Sequence, residues 1–392
     1  MERRMRKQKA ALRMAGILCL VAGLLAGCGK GEDKKEPTPT VMPGQEQSAR
    51  PTLSPEKEDF LSECLADMTL EEKVGQMFLV RCPENAAEAV KTYALGGYVL
   101  FARDFEGETK ESLREKVKAC NKESKYPLLF SVDEEGGAVV RVSKYKEFRN
   151  QPFASQAKLY NEGGLEAVLA DVKEKAALLR SLGIFLNLAP VCDVCEDSDA
   201  FIYTRSLGKG AQETADYVSA VVAAMKEAGL GSTLKHFPGY GNNADTHTNI
   251  VRDTRAYETF VNSDFLPFFA GIKAGADAVM VAHNIVECMD ASRPASLSLE
   301  VHRILREELG FEGVIITDDL YMDGITEFTG AESAAVAAVL AGNDMLCCTD
   351  FAVQIPAVIA AVKDGTIDEA QIDESVLRIL RWKLELGLLR EE

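Results

Sequence analysis

Eight short apolar runs recur along the body of the chain, and the stretches between them are long enough for a helix. The runs fall at 76–80, 98–101, 128–132, 185–188, 233–236, 278–282, 314–317 and 345–348. They are apolar on both faces, as parallel strands covered by helices must be. Helical patterns lie at 108–124, 166–181, 212–228, 258–274, 299–308 and 331–340, and one over 368–388 closes the chain. Gly183, Gly229, Gly275 and Gly310 end four of them, where a helix C-terminus favours a left-handed residue. Eight alternating units predict an α/β fold, a single (β/α)8 TIM-like barrel. The alternative is an open doubly wound sheet. No glycine-rich phosphate turn follows the first run, which counts against it.

The start of the chain reads differently. Arg3, Arg4, Arg6, Lys7, Lys9 and Arg13 precede an uncharged stretch from Met14 to Gly27. That stretch is short of the roughly 20 residues a membrane span needs, and it has the layout of a secretory signal. It ends Leu25-Ala26-Gly27-Cys28, which resembles the lipoprotein signal-peptidase site of bacteria. The resemblance implies a lipid on Cys28. From there to residue 57, prolines 37, 39, 43, 51 and 55 are mixed with polar residues, as in an extended, disordered tether. The expected organisation is a signal peptide over 1–27, a lipidated tether over 28–57 and a catalytic domain over 58–392. The protein is expected at the cell membrane, held by its lipid on the extracytoplasmic face.

Charge narrows the partners. The formal charge is −17, and loss of residues 1–27 removes six basic and one acidic residue, leaving −22. So acidic a chain is a poor ligand for nucleic acid or anionic lipid headgroups. Membrane contact is therefore assigned to the lipid anchor alone. The eight cysteines of the body, at 64, 82, 120, 192, 195, 288, 347 and 348, are scattered and do not resemble a disulfide framework. Cys192-Asp-Val-Cys195 is a lone C-x-x-C with no second ligand pair nearby, so no metal is expected.

Polar residues gather at the ends of the predicted strands. Asp133, Glu134 and Glu135 follow the third run and Asp193 the fourth. Lys235 and His236 end the fifth, His283 follows the sixth, and Asp318 and Asp319 follow the seventh. In a barrel these ends open on one face, which is where active sites form. The richest segment is Lys235-His-Phe-Pro-Gly-Tyr-Gly-Asn-Asn-Ala-Asp-Thr-His247, with two of the four histidines of the chain. Pro238, Gly239 and Gly241 forbid regular structure there. It reads as a strand end followed by a polar loop carrying Asp245 and His247. His302 lies within a helical pattern and reads as structural or surface.

These motifs resemble family 3 of the glycoside hydrolases, in its β-N-acetylglucosaminidase branch. The resemblance rests on Lys235-His-Phe-Pro-Gly-x-Gly with Asp245-x-His247, and on Asp133-x-Glu-Gly-Gly137. It also rests on Asn187-x-Ala-Pro190 with Asp193, Arg205-Ser-x-Gly208, Gly313-Val-Ile-Ile-Thr-Asp318 and the ending Arg378-Ile-Leu-Arg-x-Lys383. It covers roughly residues 60 to 390. It implies a retaining hydrolase that acts, as a monomer, on amino-sugar oligosaccharides. It further implies Asp318 as nucleophile and His247, oriented by Asp245, as acid/base. Asp133, Arg205, Lys235 and His236 would contact the sugar. No cofactor is implied, and no sandwich domain is expected after the barrel. Tyr240 stands where many relatives carry a second histidine, Asp323 holds a position often basic, and the loop before Asp245 looks one residue short.

The residues support these roles on their own chemistry. Retaining glycosidases usually place two carboxyl groups about 5–5.5 Å apart across the bond, and Asp318 qualifies as one. Asp319 qualifies less, because neighbouring strand residues point to opposite sides. An imidazole with a carboxylate to fix its tautomer is a sensible second group near neutral pH. Other readings stay open at this point. Asp318 could cap a helix, Asp245 and His247 could only order their loop, and Lys235, Arg205 and His283 could be structural. Phosphorolysis, β-glucoside hydrolysis and non-catalytic wall binding remain alternatives to hydrolysis of an N-acetylglucosaminide.

Overall fold

Each of the eight apolar runs overlaps a strand, and together these strands form a closed ring. The computed structural model describes residues 52–241, 243, 251–322, 325, 328–329 and 334–391. Its strands are β1 (Phe78–Arg81), β2 (Gly97–Leu100), β3 (Leu129–Val132), β4 (Leu186–Asn187), β5 (Gly231–Phe237), β6 (Arg252–Asp253), β7 (Ala278–Val281), β8 (Ile285–Val286), β9 (Val314–Thr317) and β10 (Leu346–Cys348). The main sheet is parallel in the order β10-β1-β2-β3-β4-β5-β7-β9. The Thr317 amide donates to the Met345 carbonyl at 3.1 Å and the Leu320 amide to the Cys347 carbonyl at 2.9 Å, joining β9 to β10. Strands β6 and β8 form a separate parallel pair. They are two residues each, too short to leave an apolar run in the sequence.

The helices are α1 (Pro55–Ala66), α2 (Leu70–Gln76), α3 (Ala86–Tyr93), α4 (Lys110–Lys122), α5 (Gln156–Ser181), α6 (Ala211–Glu227), α7 (Phe265–Lys273), α8 (Leu299–Arg303), α9 (Ala334–Ala341), α10 (Phe351–Lys363) and α11 (Glu369–Glu385). Helix α1 begins three residues inside the stretch read as tether, with its proline in the first turn, a position that needs no amide hydrogen. Helix α2 starts on a capping box, in which the Thr69 hydroxyl accepts from the Glu72 amide and the Glu72 carboxylate from the Thr69 amide. Helix α5 begins ten residues before its apolar pattern, because Gly163 and Gly164 kink it and break the period. The patterns at 258–274 and 299–308 contain π turns, over Phe260–Asp264 and Ile304–Glu308. Helix α10 holds Pro356 in its interior, which in a sequence reads as a breaker. The four expected capping glycines have φ of 83°, 67°, 88° and 70°.

Two features stiffen the floor of the barrel, the end away from the strand C-termini. Buried Asp344 accepts from Arg306 (2.5 Å), Arg378 (3.0 Å), Ser375 (3.2 Å) and the Ile315 amide (2.8 Å). Lys383 is fully buried and donates to Gln76 Oε1 at 2.7 Å. Burial pushes its pKa down to about 7. The closing motif Arg378 to Lys383 thus has a physical job, tying α11 to the end of α2 and to the turn before β10. Among the described residues no helix is long and apolar enough to cross a membrane.

Candidate active site

Because all eight barrel strands are parallel, Asp133 after β3, Asp318 after β9 and the end of β5 open on one face. Neighbouring residues of a regular strand would point to opposite sides. In β5 the pairing with β7 shifts: Leu234 faces Val279 and Phe237 faces Val281, so three steps on β5 oppose two on β7. Such a bulge re-aims side chains, and Lys235 and His236 both reach the same polar network. The peptide between them is cis.

Lys235 Nζ lies 2.6 Å from Asp133 Oδ1 and 2.6 Å from Glu135 Oε1. Arg205 grips Glu135 with two nitrogens, at 3.1 and 2.8 Å, the bidentate geometry that a guanidinium favours. Arg205 Nη2 also donates to His236 Nε2 at 3.0 Å. A guanidinium has no acceptor, so Nε2 supplies the lone pair and Nδ1 carries the hydrogen. That hydrogen is donated to Asp193 Oδ2 at 2.8 Å. Asp193 also accepts the His236 amide (3.2 Å) and, on its other oxygen, the Tyr240 amide (2.8 Å).

Charge balance holds this cluster together. Burial alone would push the Glu135 carboxyl up, but the Lys235 ammonium and the Arg205 guanidinium outweigh it and hold it at about 2. Burial opposes the charge on Lys235 too, yet Asp133 and Glu135 raise it above the usual lysine value. Arg205 is raised in the same way, chiefly by Glu135. Glu135 is thus the hub: it pairs with buried Lys235 and with half-buried Arg205, while Asp133 stays partly open to the mouth.

The other expected residues separate into groups. Asp318 is partly exposed, and its Oδ1 accepts the Asp319 amide at 2.9 Å. Asp319 turns away from it and accepts from the Thr349 hydroxyl (2.6 Å) and amide (3.2 Å). His283 is buried between Ser296 Oγ (2.7 Å) and the Asp319 carbonyl (3.1 Å), a bracing role behind the Asp318 turn. The thiol of Cys347 is pushed well up by burial and then by the carboxylates of Asp319, Asp318 and Asp133, so these groups share one field. Glu134 braces its own loop, accepting the Arg141 and Val142 amides at 2.7 Å each and the Ser143 hydroxyl. His302 is buried against the Ser298 carbonyl, the structural alternative rather than the surface one. Tyr240 is buried with its ring 5.1 Å from that of His236. No disulfide joins the described cysteines, and no group of described His, Cys, Asp and Glu residues is arranged to hold a metal ion. Asp245, His247, Asp323 and Cys28 lie outside the described residues.

Sequence reasoning placed Glu135 and Asp193 at strand ends but gave them no role. Their partners are distant: Arg205 is 70 residues from Glu135, and His236 is 43 from Asp193. Arg255 was missed altogether. The run Asp253-Thr-Arg255 begins in a two-residue strand too short to read, and only the charge pattern could have marked it.

A closed parallel barrel whose strand ends gather carboxylates, an imidazole and two paired cations is laid out as a barrel enzyme. The model of the glycosyl hydrolase family 3 N-terminal domain matches residues 69–382. A β-hexosaminidase of Xanthomonas campestris pv. campestris is 36% identical over 260 residues, covering 64% of this chain and 76% of the relative. One from Idiomarina loihiensis is 37% identical over 264 residues, covering 66% and 78%. Among solved structures, a family 3 β-N-acetylglucosaminidase from Paenibacillus sp. str. FPU-7 superposes with a TM-score of 0.77 at 30% identity, covering 82% of this chain and 63% of that one. The chain belongs to glycosyl hydrolase family 3 and is a glycoside hydrolase.

Proposed function

We propose that this hydrolase is a retaining exo-β-N-acetylglucosaminidase. It releases terminal, non-reducing, β-linked N-acetylglucosamine from cell-wall muropeptides or chitin-like oligosaccharides. The observation that carries the reading is the hydrogen-bonded cluster of Asp133, Lys235, Glu135, Arg205 and His236 on the same strand-end face as Asp318. It offers fixed donors and acceptors to sugar hydroxyls beside a carboxylate able to attack. The names of the relatives support the amino-sugar class.

The Asp318 carboxylate attacks the anomeric carbon. The bond to the aglycone breaks, and its oxygen takes a proton from the imidazolium of His247. The glycosyl-enzyme ester is then opened by water, whose proton returns to the neutral His247 as the sugar leaves. Asp245 holds the His247 tautomer and stabilises the imidazolium. Lipid on Cys28 anchors the domain to the extracytoplasmic face of the membrane through its proline-rich tether.

The test uses N,N′-diacetylchitobiose and a dinitrophenyl N-acetylglucosaminide. Asp318→Asn is expected to lose activity on both by about a thousandfold or more. His247→Ala is expected to lose about 100-fold or more in kcat/KM on chitobiose but little on the dinitrophenyl substrate, whose leaving group needs no proton. Full activity in Asp318→Asn would sink the nucleophile, and an unchanged rate on chitobiose in His247→Ala the acid/base. Sugar 1-phosphate as main product in phosphate buffer would replace hydrolysis by phosphorolysis.

A further inference from the structure

A second buried charge cluster lies apart from the sugar-facing network, at the two ends of the segment between Gly239 and Val251. Its centre is Arg255. The guanidinium donates to Asp253 through Nε (2.9 Å) and Nη2 (2.7 Å), and to Asp264 Oδ1 through Nη1 (2.9 Å). Its Nη2 also reaches the Gly239 carbonyl at 3.0 Å. One face of the plane lies over the Phe260 ring, 4.3 Å from its centroid. Both carboxylates are buried.

The cluster grips both ends of that segment. On the outgoing side, Gly239 and Gly241 pack so closely that a Cβ would lie 2.4 Å from Asp264 Oδ1 and 2.5 Å from Arg255 Nη1 respectively. The Asn243 amide donates to Asp253 Oδ2 at 2.6 Å and to the Tyr240 carbonyl at 2.9 Å. On the returning side, Asp253 belongs to β6, which is tied to β8 by Ile285 to Val251 (2.8 Å) and Glu287 to Asp253 (2.9 Å). The opposite flank of the outgoing stem is held by Asp193 through the Tyr240 amide. Two buried carboxylates around one guanidinium leave a net negative charge, and burial pushes Asp264 up to about 6 despite Arg255. An apolar set of similar volume would hold a fold as well or better. What a filled guanidinium fork supplies instead is fixed geometry between chain segments.

We propose that Arg255, with Asp253 and Asp264, is a positioning residue for proton delivery, fixing the two stems between which Asp245 and His247 lie in the sequence. The proposal rests on the acid/base assignment above and extends it to a residue that touches no substrate. A positioning error of about 1 Å can cost about 100-fold in rate, so loosening the stems acts on proton transfer, while Glu135 keeps its own pairs to Lys235 and Arg205 in the sugar-gripping cluster.

The test compares Arg255→Lys and Gly241→Ala with the parent on the same two substrates, each variant first confirmed as folded by circular dichroism and elution volume. Gly241→Ala sets a Cβ against the guanidinium and strains the stem backbone at φ 54°, without changing charge. In both variants kcat/KM on N,N′-diacetylchitobiose is expected to fall about 10- to 100-fold. On the dinitrophenyl substrate kcat/KM is expected to change less than about threefold, because that leaving group does not wait for a proton. KM for chitobiose is expected to stay near the parent value. Equal losses on both substrates from an active parent overturn the clamp alone, and so does an unchanged rate on chitobiose. A parent inactive on both substrates overturns the functional reading, and the clamp with it.

Discussion

At Glu135 two opposing pulls act on one carboxylate. Desolvation favours its neutral form, and the cations of Lys235 and Arg205 favour the charged one and win, bringing it from 4.5 to about 2. An unfolded glutamate takes up a proton as the pH falls below about 4.5, while the folded one stays charged. The pair therefore contributes stability above that value and loses it progressively towards pH 2. Glu135→Gln leaves buried Lys235 and half-buried Arg205 short of a counter-charge. It is expected to cost about 3 kcal/mol near neutral pH in urea unfolding, with a shallower loss between pH 4.5 and 2 than the parent. A stability equal to the parent at neutral pH would show that Glu135 is not the hub. At this scale the sequence was informative about position. Asp133, Lys235, His236 and Asp318 stand at or just beyond strand ends, and Asp319 turns to Thr349. The partners were not legible. Lys235 meets Asp133 across 102 residues, and no local pattern encodes such a pairing.

Among elements, the strands were more legible than the helices, for a reason that lies in burial. Strands β1 to β5, β7, β9 and β10 sit under helices and are apolar at consecutive positions, a signal a short window can detect. Helices α1 to α3 are short or highly charged; α2 is fixed as much by its Thr69 cap as by its apolar face. Helix α11 carries a cost the sequence did not reveal. Lys383 binds its proton only below about 7 when folded, against 10.5 as a free side chain. Between those values the unfolded chain holds the extra proton, so stability rises as the pH climbs from 7 to 10.5 and is lowest below 7. Lys383→Met is expected to flatten that rise and to melt higher than the parent at about pH 6, with a smaller difference at about pH 9.5. A parallel pH dependence of Tm in parent and variant would remove Lys383 as the cause.

For the whole molecule, the described residues form one barrel whose floor is braced by Asp344 and Lys383 and whose mouth carries the charged clusters. The mouth holds its cations in compensated form, so the acidity of the chain, −17 overall, does not empty it of positive charge. The proposed anchor makes a separate prediction. Cells given an alkyne-tagged fatty acid are expected to label the parent and not Cys28→Ser. Equal labelling of both would place the lipid elsewhere, and no labelling of the parent would end the lipoprotein reading.

By itself the sequence determined the alternation of buried strands with helices, and hence the barrel, because burial on both faces is a local property of composition. It also determined which charged residues stand at strand ends, since those follow the apolar runs directly. Only the tertiary structure decided what those residues do to one another. The β5 bulge turns Lys235 and His236 into one network, Glu135 pairs with two cations, and Arg255 joins the stems of a segment that the sequence marks by Asp245 and His247. Closing the ring of strands brings Glu135 to Arg205 and Lys235 to Asp133, 70 and 102 residues apart, and the fold of the segments beyond the strand ends brings Arg255 to Asp264 and Gly239, nine and 16 residues away.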